Sequence, residues 1–466
     1  MTGIAERQQK RLRQRALVRG VKLLDLVLLA APFILAWIYF YSSRIASPFY
    51  RMGHFLVVAL WIVGYYYIAH LYGGFQLHIS RISELLYSQV MAAFFTDFFM
   101  YVVIWLLTKH IPNVLVMIGV LVFQIALAAF WCYAAHHWYF KTHAPKKTAV
   151  IWDEREGLDT LLQEYGLDIR YDIIATPYVD EVFEGDSVVL PEGTEVVILC
   201  DLHSHERNQI IKLCTARGIP AYVIPRIGDV LMSGAKKIHI LHLPTLAVRR
   251  YDPTPEYAVI KRLFDVILSV IALIIMAIPM CITAIAIKAY DHGPVFYKQE
   301  RLTKDGKHFN VIKFRSMRMD AEEDGVARLS TGEADPRITP VGRVIRKIRM
   351  DEWPQLFNII KGDMSIVGPR PERPEIAEQY KETLPEFDLR LQCKAGLTGY
   401  AQVYGKYNTT PYDKLILDLM YINNPSIFED VRIMMATLKI LFLPESTEGV
   451  AEGSTTAADD NSADSE

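Results

Sequence analysis

Four long apolar runs, at about 23–41, 54–75, 87–108 and 113–140, constrain this 466-residue chain more than any other feature. Each lies near the ~20 residues that a bilayer core requires. Arg7, Lys10, Arg11, Arg13, Arg15, Arg19 and Lys22 precede the first run, and Lys141, Lys146 and Lys147 follow the fourth. The first run is too long for a signal peptide and lacks a small-residue cleavage pattern. The positive-inside rule places both basic flanks in the cytoplasm, and an even number of crossings agrees with it. Residues 1–146 therefore read as a four-helix transmembrane bundle, in preference to four buried helices of a soluble protein.

Beyond Lys147 the texture changes. "TAVIWD", "YDIIATP", "EVVILCD" and "PAYVIP" are short β-branched runs, separated by helix-like stretches such as "SHERNQIIKLCTARG". Strands alternating with helices predict a small Rossmann-like α/β domain over 147–250. A dinucleotide site would need G-x-G-x-x-G after the first strand, and "VIWDEREGLD" stands there instead, so no NAD is expected and a structural or regulatory role is. Cys132, Cys200, Cys214, Cys281 and Cys393 are scattered without a CxxC, which fits reduced thiols and no zinc or disulfide framework. A formal charge of −2 argues against nucleic acid as a partner. Residues 445–466 carry acids, Ser, Thr, Ala and Gly with no Lys or Arg, and read as a disordered acidic tail.

A further apolar segment, about Val266 to Ala289, is also long enough to cross a bilayer. Pro279 sits near its middle, where it removes a backbone hydrogen bond and crowds the preceding turn. Lys261 and Arg262 flank it on one side, and Lys288, Lys298 and Arg301 on the other. Basic residues at both ends favour a re-entrant helix that enters, bends at Pro279 and leaves on the same face. A proline-kinked spanning helix is the alternative, and it would put everything that follows outside the cytoplasm.

"GKHFNVIKFRSMRMDAEED" presents Lys313, Arg315 and Arg318 around a strand-like run, and "ITPVGRVIRKIRMDEW" adds Arg343, Arg346, Lys347 and Arg349. This density suits a solvated face, an anionic lipid surface or a diphosphate. Trp353, Leu356, Phe357 and Ile360 then follow helical spacing, with Pro354 in the first turn and Gly362 as the stop. Asp351 and Glu352 would stand at the positive end of that helix. Acids favour such a terminus for structural reasons alone. Ionised among cations, they could also serve as nucleophile or metal ligand. In "GDMSIVGPRPE", Gly368, Pro369 and Pro371 predict a rigid turn that aims Arg370.

Lys313–Met317, Gly342–Arg346, the Asp351–Glu352 pair, "LFNIIKGDMSIVGPRP" and "GLTGYAQVYGK" together resemble the bacterial sugar transferase family of monotopic phosphoglycosyl transferases. The likeness covers about Tyr257 to Leu443, and the preceding architecture is similar to that of the large, exopolysaccharide-type members. It implies a C-terminal α/β monotopic catalytic domain over 257–444, seated on the re-entrant helix. It also implies transfer of a sugar 1-phosphate from a UDP-sugar to undecaprenyl phosphate with release of UMP. Asp351 would be the nucleophile and Glu352 its Mg²⁺-binding neighbour, while Lys313, Arg315, Arg346, Arg349 and Arg370 are the candidate phosphate-binding cations. The expected setting is the bacterial plasma membrane, with the catalytic domain cytoplasmic and a homodimer plausible. The chain departs from the common pattern at Ile278, at Lys394-Ala395-Gly396 and at Tyr404-Gly405-Lys406. The competing readings are a membrane glycosyltransferase that releases UDP, for which no Asp-x-Asp is present, and a non-enzymatic scaffold of polysaccharide assembly. Two later segments, Tyr412–Tyr421 and Ile427–Phe442, read equally as interfacial or as core helices.

Overall fold

The computed structural model describes residues 2–49, 52–77, 80–154, 170–185, 187–319, 335–405 and 409–440, the side chains from Ala16 onward. The acidic tail expected at 445–466 lies outside the described residues. The chain divides into two compact units, Met1–Ile224 and Pro225–Glu466. Among the described residues, five helices are long and apolar enough to cross a membrane, four in the first unit and one in the second.

The first unit opens with α1 (Thr2–Ala36), α2 (Gly53–Leu71), α3 (Ile82–Thr108) and α4 (Val114–Thr142). They share one apolar cluster that includes Phe33, Trp61, Ala92 and Ala128. Three of the hydrogen bonds buried among them run between helices. Trp61 Nε1 donates to Asp97 at 2.7 Å, Tyr65 Oη to Asp25 at 3.1 Å and Gln124 Nε2 to the Leu29 carbonyl at 3.1 Å. An unpaired polar group in an apolar medium costs several kcal/mol, so these contacts fix which helix faces which.

A parallel four-stranded sheet follows in the order β2-β1-β5-β6, from β1 (Lys146–Trp152), β2 (Tyr171–Ala175), β5 (Val196–Cys200) and β6 (Ala221–Ile224). A ribbon of β3 (Phe183–Glu184) and β4 (Ser187–Val188) and helix α5 (Ser204–Arg217) complete it. β5 is buried at every residue, as a central parallel strand covered on both faces should be. Asp153 follows β1 and is held by Tyr178 Oη at 3.2 Å and His203 Nδ1 at 2.7 Å. Residues 155–169, which carry the rest of the segment searched for phosphate-binding glycines, lie outside the described residues.

The second unit begins 25 residues before the expected domain limit at 250, at Pro225. Helix α6 (Ile227–Ser233) buries Val230 in a cluster with Leu415, Leu419 and Ile422, and Asn423 Nδ2 donates to the Val230 carbonyl at 2.7 Å. The hairpin β7 (Lys236–Ile240)–β8 (Leu243–Ala247) follows. Residues 225–250 therefore pack with the C-terminal unit, because the parallel sheet is already complete at Ile224.

Helix α7 (Pro255–Asp291) is continuous through Pro279. Its outward face is apolar, including Ile274, Ile275, Ile278, Ile282 and Ile285. Its other face is fastened at both ends to one folded unit. Arg262 donates to the carbonyls of Ile359 and Ile360 at 2.6 and 2.7 Å, and Asp265 accepts from Ser365 Oγ at 2.8 Å and Ile366 N at 3.0 Å. Farther along, Met280 and Ile287 pack with Phe314, Ile345 and Met350. The antiparallel pair β9 (Phe296–Leu302)–β10 (His308–Phe314) follows, then α8 (Pro340–Lys347) and α9 (Gln355–Lys361). The parallel pair β11 (Ser365–Val367)–β12 (Gly396–Thr398) lies among α10 (Pro374–Thr383), α11 (Tyr400–Tyr404), α12 (Pro411–Asn423) and α13 (Ile427–Ile440). Helix α12 buries Leu415, Ile416, Leu419 and Ile422, and is a core helix. In α13, Ile433 joins the same cluster.

Candidate active site

The carboxylate pair does not stand on the helix itself. Asp351 and Glu352 belong to a 3₁₀ turn, Met350–Glu352, and α9 starts only at Gln355, after Pro354. Arg349 ends the preceding stretch in the left-handed region at φ 56°, which costs a non-glycine residue ~1–2 kcal/mol. That reversal turns the acids back toward the strands. Met350 anchors the turn from beneath: it is buried against α7 and accepts from Thr283 Oγ1 through its sulfur at 3.3 Å. The buried face of α9 is also shifted from the expected one. Leu356, Asn358 and Ile359 point inward while Phe357 is exposed. Gly362 ends the helix at φ 102°, as expected.

Glu352 Oε1 receives Lys313 Nζ at 3.2 Å from β10 and Arg370 Nη2 at 3.0 Å from the Gly-Pro-Arg-Pro turn. Burial alone would raise its titration, but Arg370, Lys313 and Arg349 outweigh burial and hold it well below the usual carboxylate range. Asp351 behaves in the opposite way. Burial first, and then the Glu352 charge, push it above its ordinary value, against the pull of Lys313, Arg346 and Arg349. Burial likewise lowers Lys313. Two adjacent acids driven apart by their surroundings can take different roles. Among the described residues the Asp351 carboxylate takes no direct hydrogen bond or ion pair, so it is left to face an incoming group.

Four of the five expected cations, Lys313, Arg346, Arg349 and Arg370, act on the pair. Arg315 does not: it pairs with Asp291 at the C-terminal end of α7. It lies one residue past the end of β10, beyond the alternation that would have kept it on the Lys313 face. Pro279 lies on α7 and makes no part of the carboxylate site.

Two further groups hold the site together and were not singled out from the sequence. Asn358, 2 % exposed, accepts from Ile312 N at 3.0 Å and donates to the Asn310 carbonyl at 2.8 Å, copying a strand partner for β10 and setting Lys313 against Glu352. The apolar spacing of "LFNIIK" put it on the solvent side, so the sequence carried no signal for it. Behind the Gly-Pro-Arg-Pro turn, Arg390 binds Asp418 through Nε at 2.9 Å and Nη2 at 2.7 Å, and Glu372 lies 3.6 Å from its Nη1. Gly368, Gly396 and Gly399 interlock there; a Cβ on Gly368 would stand 2.3 Å from the Lys394 carbonyl.

The donor set fits a hard divalent cation. The pair offers only carboxylate oxygens, and Mg²⁺ takes one or two of these with water and phosphate oxygens completing its shell. No cluster of three His, Cys, Asp or Glu groups that could hold a metal is found among the described residues, so an ion here would have at most the two carboxylates as protein ligands.

A sequence profile described as "Bacterial sugar transferase" matches residues 256–444. Among curated proteins, the chain is 38% identical over 239 residues to an Aeromonas hydrophila UDP-N-acetylgalactosamine-undecaprenyl-phosphate N-acetylgalactosaminephosphotransferase, covering 51% of this chain and 55% of the relative. It is 34% identical over 311 residues to the undecaprenyl-phosphate galactose phosphotransferase of Salmonella typhimurium, covering 64% and 58%. A UDP-glucose:undecaprenyl-phosphate glucose-1-phosphate transferase from Caulobacter vibrioides is 35% identical over 208 residues, covering 43% of this chain and 77% of that one. The chain spans about half the length of the first two relatives. The profile contains the whole Lys313–Glu352–Arg370 arrangement, and with most of the Caulobacter protein covered, this chain belongs to the bacterial sugar transferase family.

Proposed function

We propose that this protein transfers a sugar 1-phosphate from a UDP-sugar to undecaprenyl phosphate, giving undecaprenyl-diphosphate-sugar and UMP. One observation carries the reading: a half-buried aspartate with no hydrogen bond or ion pair among the described residues, beside a glutamate held ionised, both under the influence of four cations, in the segment matched by the family profile. UDP-glucose or UDP-galactose is the proposed donor, and the product opens exopolysaccharide or capsule assembly on the cytoplasmic face of the plasma membrane.

Asp351 attacks the phosphorus that bears the sugar. The bond from that phosphorus to the oxygen bridging it to UMP breaks, UMP leaves with the electron pair, and an acyl phosphate joins Asp351 to the sugar phosphate. An undecaprenyl phosphate oxygen then attacks the same phosphorus and frees the carboxylate. Lys313, Arg346, Arg349 and Arg370 offset charge on the transferring group, and their fixed placement removes the need to reorganise during reaction. Glu352 orients Lys313 and Arg370 by accepting from both. Glu352, with Asp351 beside it, would hold a Mg²⁺ ion, which when bound would offset the diphosphate charge.

The attachments of α7 support re-entry. Arg262 and Asp265 near one end, and Met280 and Ile287 near the other, engage the same unit, which a helix running straight to the far side of a bilayer could not do. Single cysteines near Lys261 and Lys298 should both label from the cytoplasm; labelling from opposite faces overturns this placement. The reaction is tested with a panel of UDP-sugars, UDP-N-acetylgalactosamine included, assayed with undecaprenyl phosphate and Mg²⁺. UMP release by one donor is expected, whereas UDP release would assign a glycosyltransferase and no release would leave the scaffold.

A further inference from the structure

The turn that carries Arg370 is tied down by its backbone at every residue from Gly368 to Glu372. Gly368 N donates to the Thr398 carbonyl at 2.9 Å, Gly396 N to that of Pro369 at 2.9 Å and Leu302 N to that of Glu372 at 3.0 Å. Two of the other carbonyls are taken by guanidinium groups. Arg390 Nη2 donates to the Arg370 carbonyl at 2.9 Å, and Arg301 Nη1 to the Pro371 carbonyl at 3.0 Å. Pro369 and Pro371 remove two amide donors and fix φ, so the turn has little freedom left.

Both arginines are themselves held. Arg390 is 3 % exposed and bonds Asp418 through two nitrogens while Glu372 lies at 3.6 Å. Arg301 lies 3.8 Å from Glu372 and donates to Gln299 Oε1 through Nε at 3.2 Å and Nη2 at 2.6 Å. Among the described residues, neither makes a hydrogen bond to Asp351 or Glu352. The effect of Arg390 on the carboxylates passes through Arg370, whose guanidinium reaches Glu352 at 3.0 Å, while Arg301 also acts on Glu352 directly through its charge. We propose that Arg390, with Arg301 as a second arm, is a positioning residue that sets the Arg370 guanidinium on Glu352.

This rests on the phosphosugar transfer proposed above. The fork geometry is what the role requires. Arg390 reaches Asp418, Glu372 and a backbone carbonyl at once, which the single ammonium of a lysine cannot do. Lysine still supplies the buried positive charge, so Arg390→Lys separates positioning from charge balance.

The test uses full-length protein in nanodiscs with three readouts: exchange of labelled UMP into UDP-sugar, thermal unfolding, and phenylglyoxal modification of Arg370 read by peptide mass. Arg390→Lys should lower kcat about 10- to 100-fold with KM changed less than about threefold, the signature of a displaced group rather than lost binding. Arg370 should be modified several-fold faster, since it is no longer held on Glu352. Arg301→Lys should shift both readouts the same way and less, and it stands in if Arg390→Lys does not fold. A wild-type kcat in both variants overturns the proposal, as does a loss that follows unfolding while Arg370 reactivity is unchanged. If wild type exchanges no UMP with any donor, the transfer reading fails, and the Arg370 modification rates alone decide the positioning.

Discussion

Several acids of the two units are buried in opposite ways, although Asp265 in the second unit also takes neutral donors. Among the N-terminal helices, Asp25 and Asp97 are shielded from solvent and receive neutral donors, the Tyr65 hydroxyl and the Trp61 indole. In the C-terminal unit, Glu352, Glu372 and Asp418 face lysine and arginine. Neutral donors satisfy an acceptor and fix packing, but they create no field for a ligand. A cluster of cations around a partly paired carboxylate creates such a field. Buried charge alone therefore does not mark the reactive part of this molecule; the charge type of its partners does.

The largest effect that could break this contrast is at Asp351. Asp351→Asn keeps shape and removes the charge, and should abolish both UMP exchange and overall turnover, by on the order of 10³-fold or more. Exchange at near wild-type rate would remove Asp351 as nucleophile. Next, Asp418→Ala leaves Arg390 buried without its main partner and should destabilise the second unit by ~3–5 kcal/mol, read by denaturant unfolding of its fluorescence. A loss below ~1 kcal/mol would show that the pair contributes no more than a surface bridge.

A third effect concerns pH. Asp351 must lose its proton to attack, and its titration is raised by burial and by the Glu352 charge. Activity should therefore rise with pH through that raised value. In Glu352→Gln, turnover should fall ~10²-fold, and the acid limb of the residual activity should move to lower pH because one raising charge is gone. An unmoved limb would mean that the observed limb does not report the coupled pair. The stability effect has the same sense but lies at lower pH. Glu352 titrates below its ordinary 4.5, so its contribution is complete above that value and is lost as pH falls through the lowered one. Glu352→Gln should flatten that acid loss.

The smallest effect is the control. Asp97→Asn retains an acceptor for Trp61 Nε1, and the stability of the N-terminal helices should change by less than ~1 kcal/mol. A loss comparable with Asp418→Ala would erase the distinction between the units.

Much of this organisation was legible in the sequence, where one residue's chemistry sufficed. Apolar length marks the long helices, and "MDEW" amid arginines marks the site. What escaped depends on contacts between distant positions. Arg390 reaches the site only through a carbonyl 20 residues away, and Asn358 matters because β10 lies 46 to 48 residues earlier. Arg315 was misplaced for the complementary reason. Basic residues two apart on a strand look equivalent until the strand ends, and Arg315 lies just past that end, beside Asp291. The inward face of α9 was read from apolar spacing, but Asn358 and Gln355 are buried there, so polar residues occupy positions that the periodicity assigned to solvent.

The attachments of α7 also impose an order on biogenesis. Arg262 and Asp265 are synthesised 97 to 101 residues before Ile359 and Ile366, their backbone partners. At ~5–20 residues per second, the ribosome leaves that gap open for roughly 5–20 s. During this interval an apolar helix bearing an arginine and an aspartate must remain at the membrane with neither satisfied by its native partner. A nascent chain stalled before residue 359 should therefore be unusually accessible to proteases and holding chaperones, and one stalled well past 366 should lose that accessibility as the carbonyls of Ile359 and Ile360 arrive.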